Sequence, residues 1–319
     1  MRRPLLRLVA VPVAALVAIA IAAGCGDDDG SGDGRPVIVV TTPILGAVVG
    51  EMVGDAADVR TVIPNGADPH DFQPSAKDAA ALEDADLIVE NGLDLEEGLE
   101  DALRQARDAG VPFYTATDHV PLRESGGGEH HDEEEHAGEG QDDHEHGPED
   151  PHIWMDPIAM RDVVITLGPA ITEATGLDVT AGSAAATERL TALDAEAREI
   201  LAAVPADRRK LVTGHESMGY FADRYDFELV GAVIPGLSSQ AQVSASALAE
   251  LREVIEHEGV PAVFAELGTP EGVAEAIASE TGARLVPIGT HALPEDGSYE
   301  TFILDAARAV RDGLAPDGG

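Results

Sequence analysis

A chain of 319 residues with 60 acidic and 20 basic side chains, net −40, excludes several classes of partner at once. Such a surface repels nucleic acid and anionic lipid headgroups, and it draws cations over a Debye length of about 8 Å at physiological salt. The 44% hydrophobic share supports real cores, the length suits two domains, and one cysteine rules out an internal disulfide.

Residues 1–24 read as a targeting segment. Arg2, Arg3 and Arg7 form its charged start, and Leu8 to Ile21 is a nearly unbroken apolar run, too short and too rich in small residues for a spanning helix. Ala22-Ala23-Gly24-Cys25 then resembles a bacterial lipobox, which makes Cys25 the expected lipidation site. Residues 25–35 are acidic and Gly-rich, the composition of a flexible tether.

From Pro36 apolar runs alternate with amphipathic ones. Strands are expected at Val37–Val40, Val59–Ile63, Asp86–Val89 and Val111–Tyr114, with helices at Pro43–Val53, Ser75–Glu83 and Glu96–Ala109. After Leu122 the pattern stops. Residues 124–149 are Gly, Glu, Asp and His without apolar periodicity, and they include His130, His131, His136, His144 and His146. That composition buries no core and suits weak metal gathering. Order resumes at Asp150, with a helix at Ala159–Thr175 that completes a first lobe over residues 36–177. Leu190, Leu193, Ala197, Ile200, Leu201 and Val204 recur at helical spacing in a long connecting helix, residues 178–205. A second lobe, 206–319, repeats the alternation. Its strands fall near Lys210–Thr213, Phe227–Val233, Ala262–Ala265 and Arg284–Ile288. Its helices fall near Glu216–Arg224, Ser244–His257, Pro270–Thr281 and Tyr299–Asp312. The expected fold is α/β: two (β/α)-type lobes with mostly parallel sheets joined by one long rigid helix.

Two stretches carry matched chemistry: Asp68-Pro69-His70-Asp71-Phe72-Gln73-Pro74 and Asp150-Pro151-His152-Ile153-Trp154-Met155-Asp156-Pro157. Each sets a histidine after Asp-Pro, an aromatic two residues on, and a further proline. Proline fixes φ and restrains the residue before it, so each imidazole sits in a stiff loop. Each loop runs into a helix start: Ser75 with Asp78 resembles a capping box, and Asp156-Pro157 fits N-cap and N1. His215 follows one strand of the second lobe, Glu266 another and His291 a third. Ligands of open α/β sheets bind beyond the carboxyl ends of strands, so His70 and His152 are expected to face His215 and His291, or Glu266, across a cleft. Three or four imidazoles with at most one carboxylate suit zinc, whereas manganese and magnesium prefer more oxygen ligands. Asp68, Asp71, Asp156 and Glu216 are candidates to orient the rings from behind. His119 and His257 fit no such pattern.

At these residues the chain resembles the metal-binding solute-receptor lipoproteins of bacterial zinc/manganese ABC importers. The matching pieces are Gly66 to Ser75, Glu90-Asn91-Gly92-Leu93, Asp150 to Pro157 and His215-Glu216-Ser217-Met218-Gly219-Tyr220-Phe221, in order over nearly the whole mature chain. The resemblance implies one metal between two lobes, with His70, His152 and His215 as ligands. Manganese members tend to carry a carboxylate at the place of His215, so zinc is favoured as the bound ion. The family often uses an aspartate after the last strand or leaves the place to water. Here Thr290-His291-Ala292-Leu293 offers His291 as the fourth ligand, with Glu266 second choice or a supporting group. The implied protein is an extracytoplasmic monomer that is no enzyme, anchored through lipid on Cys25 and delivering metal to an ABC permease and its ATPase. A secreted zinc hydrolase would need an open metal position and a base. No His-Glu-x-x-His is present, since Gly219 stands four residues after His215, and no Gly-x-Ser-x-Gly occurs. A metal-buffering or adhesive surface lipoprotein is the remaining alternative.

Overall fold

The computed structural model describes residues 34–125 and 149–316. The targeting segment, Cys25 and the histidines of the acidic loop (His130, His131, His136, His144 and His146) lie outside the described residues. The ends of that loop meet, with Glu124 and Glu149 forming an antiparallel bridge and the Asp150 N–H donating to the Arg123 carbonyl at 2.8 Å.

Among the described residues, eight strands form two four-stranded parallel sheets. β1 (Val37–Val40), β2 (Asp58–Thr61), β3 (Leu87–Glu90) and β4 (Phe113–Thr115) lie in the order β2-β1-β3-β4. β5 (Lys210–Thr213), β6 (Glu228–Ala232), β7 (Ala262–Ala265) and β8 (Arg284–Pro287) repeat it as β6-β5-β7-β8. In each sheet the order reverses beside the first strand, which opens a crevice past the carboxyl ends of β1 and β3 and of β5 and β7.

The central strands read as continuous aliphatic runs because both faces are covered. Ile38 and Val40 face a large core shared by the two halves, while Val39 and Ile88 face a smaller one under α2 (Ala76–Glu83) and α3 (Glu100–Asp108). Val212 and Val263 face the matching core under α7 (Ala245–Glu258) and α8 (Glu271–Thr281). The capping box at Ser75 is formed in full, and Asp156 caps α4 (Pro157–Thr175) by accepting from the Ile158 N–H.

The long helix, α5 (Thr180–Leu201), is not a bare strut. It packs against α1 (Pro43–Val53), α4 and α9 (Tyr299–Leu314), so Leu190, Leu193 and Ala197 belong to the same core as Ile38 and Phe264. Gly182 lies so close to the end of α1 that an added Cβ would stand 2.0 Å from the Met52 carbonyl oxygen. A helix held over its length by elements of both halves gives little freedom for wide hinge closure.

Candidate metal centre

His70 follows β2, His152 follows β4, His215 follows β5 and His291 follows β8, all at the carboxyl ends of their sheets. The structure brings these four together, one ring nitrogen of each lying within 4.8 Å of the others. His152, His215 and His291 are buried, and His70 keeps 8% of its surface. His70 alone also borders an open cavity of about 410 Å³ lined by Gln73, Glu97, Gly98, Glu100 and Asp101.

The local chemistry dictates which nitrogen faces the centre. Nδ1 of His152 lies 2.7 Å from Oδ1 of Asp150, a buried carboxylate that also accepts the His152 backbone N–H at 2.9 Å. An ionised carboxylate only accepts, so the ring proton sits on Nδ1 and the Nε2 lone pair points inward. Nε2 of His152 is then 3.4 Å from Nε2 of His70 and 3.2 Å from Nε2 of His215. Nδ1 of His291 lies 2.9 Å from the Thr290 hydroxyl, and its Nε2 is buried with no hydrogen-bond partner among the described residues. A tetrahedral zinc with Zn–N of about 2.0–2.1 Å separates its donors by roughly 3.3–3.4 Å. The separations of 3.4 and 3.2 Å are close to that edge.

Glu266, expected as fourth ligand or supporting group, lies beside His215 and is not one of the four residues that converge. Its Oε1 accepts the His215 backbone N–H at 2.8 Å and lies 3.1 Å from Nδ1 of the same ring. Its Oε2 accepts from Ser217 Oγ at 2.6 Å and from Thr290 Oγ1. Burial pushes its carboxyl up, but facing His215 and these donors holds it down at about 2. Burial raises Asp150 to about 6, opposed by the His152 N–H and the Arg123 guanidinium. Two buried carboxylates behind the rings would thus offset the charge of a divalent cation without touching it.

Three of the four rings are held neutral. Burial and the neighbouring His215 lower His70 to about 4, and burial with the surrounding imidazoles takes His152 and His291 well below the usual range. A neutral imidazole with its lone pair turned inward, as in His152, is ready to ligate a metal.

Two expected orienting groups are engaged elsewhere and a third is exposed. Asp156 binds the Ile158 N–H at 2.7 Å and Arg224 at 3.2 Å, as a helix cap with an ion pair. Glu216 accepts the Gly236 N–H at 3.1 Å, and Asp71 is exposed. The helix expected from Glu216 starts instead at Gly219, as α6 (Gly219–Tyr225), because residues 214–218 turn to aim His215 inward. There the Thr213 hydroxyl donates to the His215 carbonyl at 2.5 Å. Asp68 acts on backbone, accepting the His70 N–H at 3.0 Å and bridging to Ser239 Oγ at 2.6 Å.

Sequence reasoning missed Asp150, Ser217, Thr290 and the bracing role of Trp154. The Trp154 indole N–H donates to the Thr290 carbonyl at 2.6 Å, and Tyr299 donates to the Trp154 carbonyl at 2.7 Å. A first-half aromatic therefore fixes the loop that carries His291. The repeated Asp-Pro-His was the available signal for Asp150: the aspartate folds back on the histidine two residues later in both copies. His119 stacks on Tyr114 with centroids 4.5 Å apart, and His257 is exposed beside Glu258.

Residues 38–313 match the model of a family described as zinc-uptake complex component A, periplasmic. The chain belongs to that family. It is 28% identical over 266 residues to the zinc-binding protein TroA of Treponema pallidum, covering 81% of this chain and 79% of that one. It is 27% identical to the manganese-binding lipoprotein MntA of Halalkalibacterium halodurans over 299 residues, 92% of each. The solved periplasmic zinc-binding protein TroA of Treponema pallidum shares the fold, with a TM-score of 0.74 at 24% identity, covering 89% of this chain and 100% of that one. The family is one of extracytoplasmic metal receptors and not an enzyme class. No helix among the described residues is long and apolar enough to cross a membrane.

Proposed function

We propose that this protein is the extracytoplasmic receptor of an ABC-type metal importer, and that its cargo is Zn2+. One observation carries the reading: four buried imidazoles from two sheets converge on one point, one ring nitrogen of each within 4.8 Å of the others. His70, His152, His215 and His291 are the ligands. Four nitrogen donors and no oxygen donor favour zinc over manganese. A manganese cargo is the second reading, since a manganese-binding relative matches over nearly its whole length.

Capture begins at His70, the ring with an exposed edge beside the acidic cavity. The ion sheds water and drops among the other rings, Asp150 and Glu266 offset its charge, and the four-ligand shell closes it against hydrolytic chemistry. Cys25 tethers the receptor, as a monomer, to the outer face of the cytoplasmic membrane, and residues 124–149 gather ions weakly. Docking on the permease, with its ATPase, releases the ion.

The test is a competitive titration of the chelator-stripped protein with zinc and with manganese against a chromophoric chelator. One tight zinc site with manganese at least about a hundredfold weaker is expected. A manganese preference, or only several weak sites, overturns the zinc assignment.

A further inference from the structure

The loop Gly289–Leu293 holds a relay that ends on His291 and begins on a carboxylate outside the ligand set. Glu266 Oε2 receives two hydroxyls, Ser217 Oγ at 2.6 Å and Thr290 Oγ1. Its other oxygen receives the His215 backbone N–H at 2.8 Å. A hydroxyl has a single proton. Thr290 gives that proton to Glu266, so its oxygen turns only lone pairs toward Nδ1 of His291, 2.9 Å away. The contact is attractive only if Nδ1 carries the ring proton. A neutral imidazole has one N–H, which leaves Nε2 bare. That Nε2 is buried, unpartnered among the described residues, and aimed at the ring nitrogens of His70, His152 and His215. The opposite tautomer would set lone pair against lone pair at Thr290 and put a proton where the cation goes. The Thr290 backbone cannot drift to relieve this, because its carbonyl is held by the Trp154 indole N–H at 2.6 Å.

We propose that Thr290 is a positioning residue that fixes the His291 tautomer by relaying Glu266, so that His291 meets a divalent cation with a lone pair already in place. This rests on the zinc-receptor reading for its consequence, though not for the tautomer itself. The side-chain demand is specific: a hydroxyl that donates one way and accepts the other. Serine satisfies it. Valine has the shape of threonine and neither function.

The test uses the full chain, chelator-stripped and labelled with 15N at histidine. In the metal-free protein, long-range 1H–15N correlations should give His291 a protonated Nδ1 and a bare Nε2. Thr290→Val should mix the two tautomers at His291 and weaken zinc binding by about 10–100-fold, the usual effect of losing a partner behind a ligand. Thr290→Ser should restore both the tautomer and an affinity within about threefold of wild type. A bare Nδ1 in the wild-type protein overturns the relay, and so does a Thr290→Val protein with unchanged tautomer and affinity. If the valine variant does not fold, the wild-type and serine spectra still decide the matter. Failure of the receptor reading looks different: the wild type would lack a tight zinc site whatever tautomer His291 shows.

Discussion

Replacing Asp150 separates the geometry of His152 from its charge environment. Asp150 is fully buried, and one oxygen holds both the backbone N–H and the Nδ1 of His152, at 2.9 and 2.7 Å. Its other oxygen faces Arg123 at 3.4 Å. In Asp150→Ala both His152 donors lose their acceptor, and the ring is free to rotate or to move its proton to Nε2. Each metal-binding event must then reorder the ring. Losing such a partner typically costs about 10–100-fold in metal affinity, or about 1.4–2.7 kcal/mol. Asp150→Asn keeps an acceptor of the same shape but removes the negative charge and turns an amide toward Arg123, so it should fall nearer about tenfold. Zinc affinity measured by chelator competition, with circular dichroism to check folding, reads both variants. A folded Asp150→Ala protein that binds zinc within about threefold of wild type would refute the view that this carboxylate sets the ring.

His291→Ala should convert a four-nitrogen site into three nitrogens and water, weaken zinc by roughly 10–100-fold, and shift the visible bands of the cobalt(II) form as an oxygen donor replaces a nitrogen. Unchanged affinity and bands would remove His291 from the ligand set. The indole of Trp154, the only tryptophan, lies 5.2 Å from His152 and 5.4 Å from His291 between ring centroids. Its emission should therefore change on zinc addition with the same stoichiometry as chelator competition, and a flat signal would contradict the placement of the site. Protons compete with metal only where the folded rings accept them, and burial lowers His70 to about 4. Zinc binding should thus persist to about pH 5, below the pH 6 that ordinary histidines suggest. In the metal-free protein the unfolded ring binds a proton that the folded ring refuses between pH 6.5 and about 4. Stability should therefore fall with pH across that window, by about 3 kcal/mol from His70 alone. Glu96, which burial raises to about 7, acts in the opposite sense as pH falls through 7. Acid titrations with and without Glu96→Ala separate the two. Gly182→Ala puts a Cβ 2.0 Å from the Met52 carbonyl oxygen, where only backbone movement relieves the clash. A loss of about 1–3 kcal/mol in denaturant unfolding is expected, and an unchanged midpoint would mean that α1 and α5 are not in register as described.

The alternation of strands and helices, the parallel sheets they imply, and the short list of histidines able to ligate are all legible in the chain before it folds. Aliphatic runs such as Val37 to Val40 and caps such as Ser75 and Asp156 are local signals, written by periodicity, proline and side-chain capping within a few residues. The double Asp-Pro-His motif belongs to the same class, because its stiffness comes from neighbours in the chain. Tertiary structure decided what each acid does. Asp150, Asp156 and Glu216 all sit beside candidate ligands or within the same motif, yet only Asp150 meets a ring; Asp156 goes to a helix end and Arg224, and Glu216 to the Gly236 N–H. Glu266 could be placed after a strand but not assigned, since its partners Ser217 and Thr290 are distant in sequence. Likewise α5 reads as a connector, and only packing reveals that α1, α4 and α9 embed it in one core. A carboxylate has several donors to choose from, all of comparable energy, and the choice is made by which of them the folded backbone brings within 3 Å.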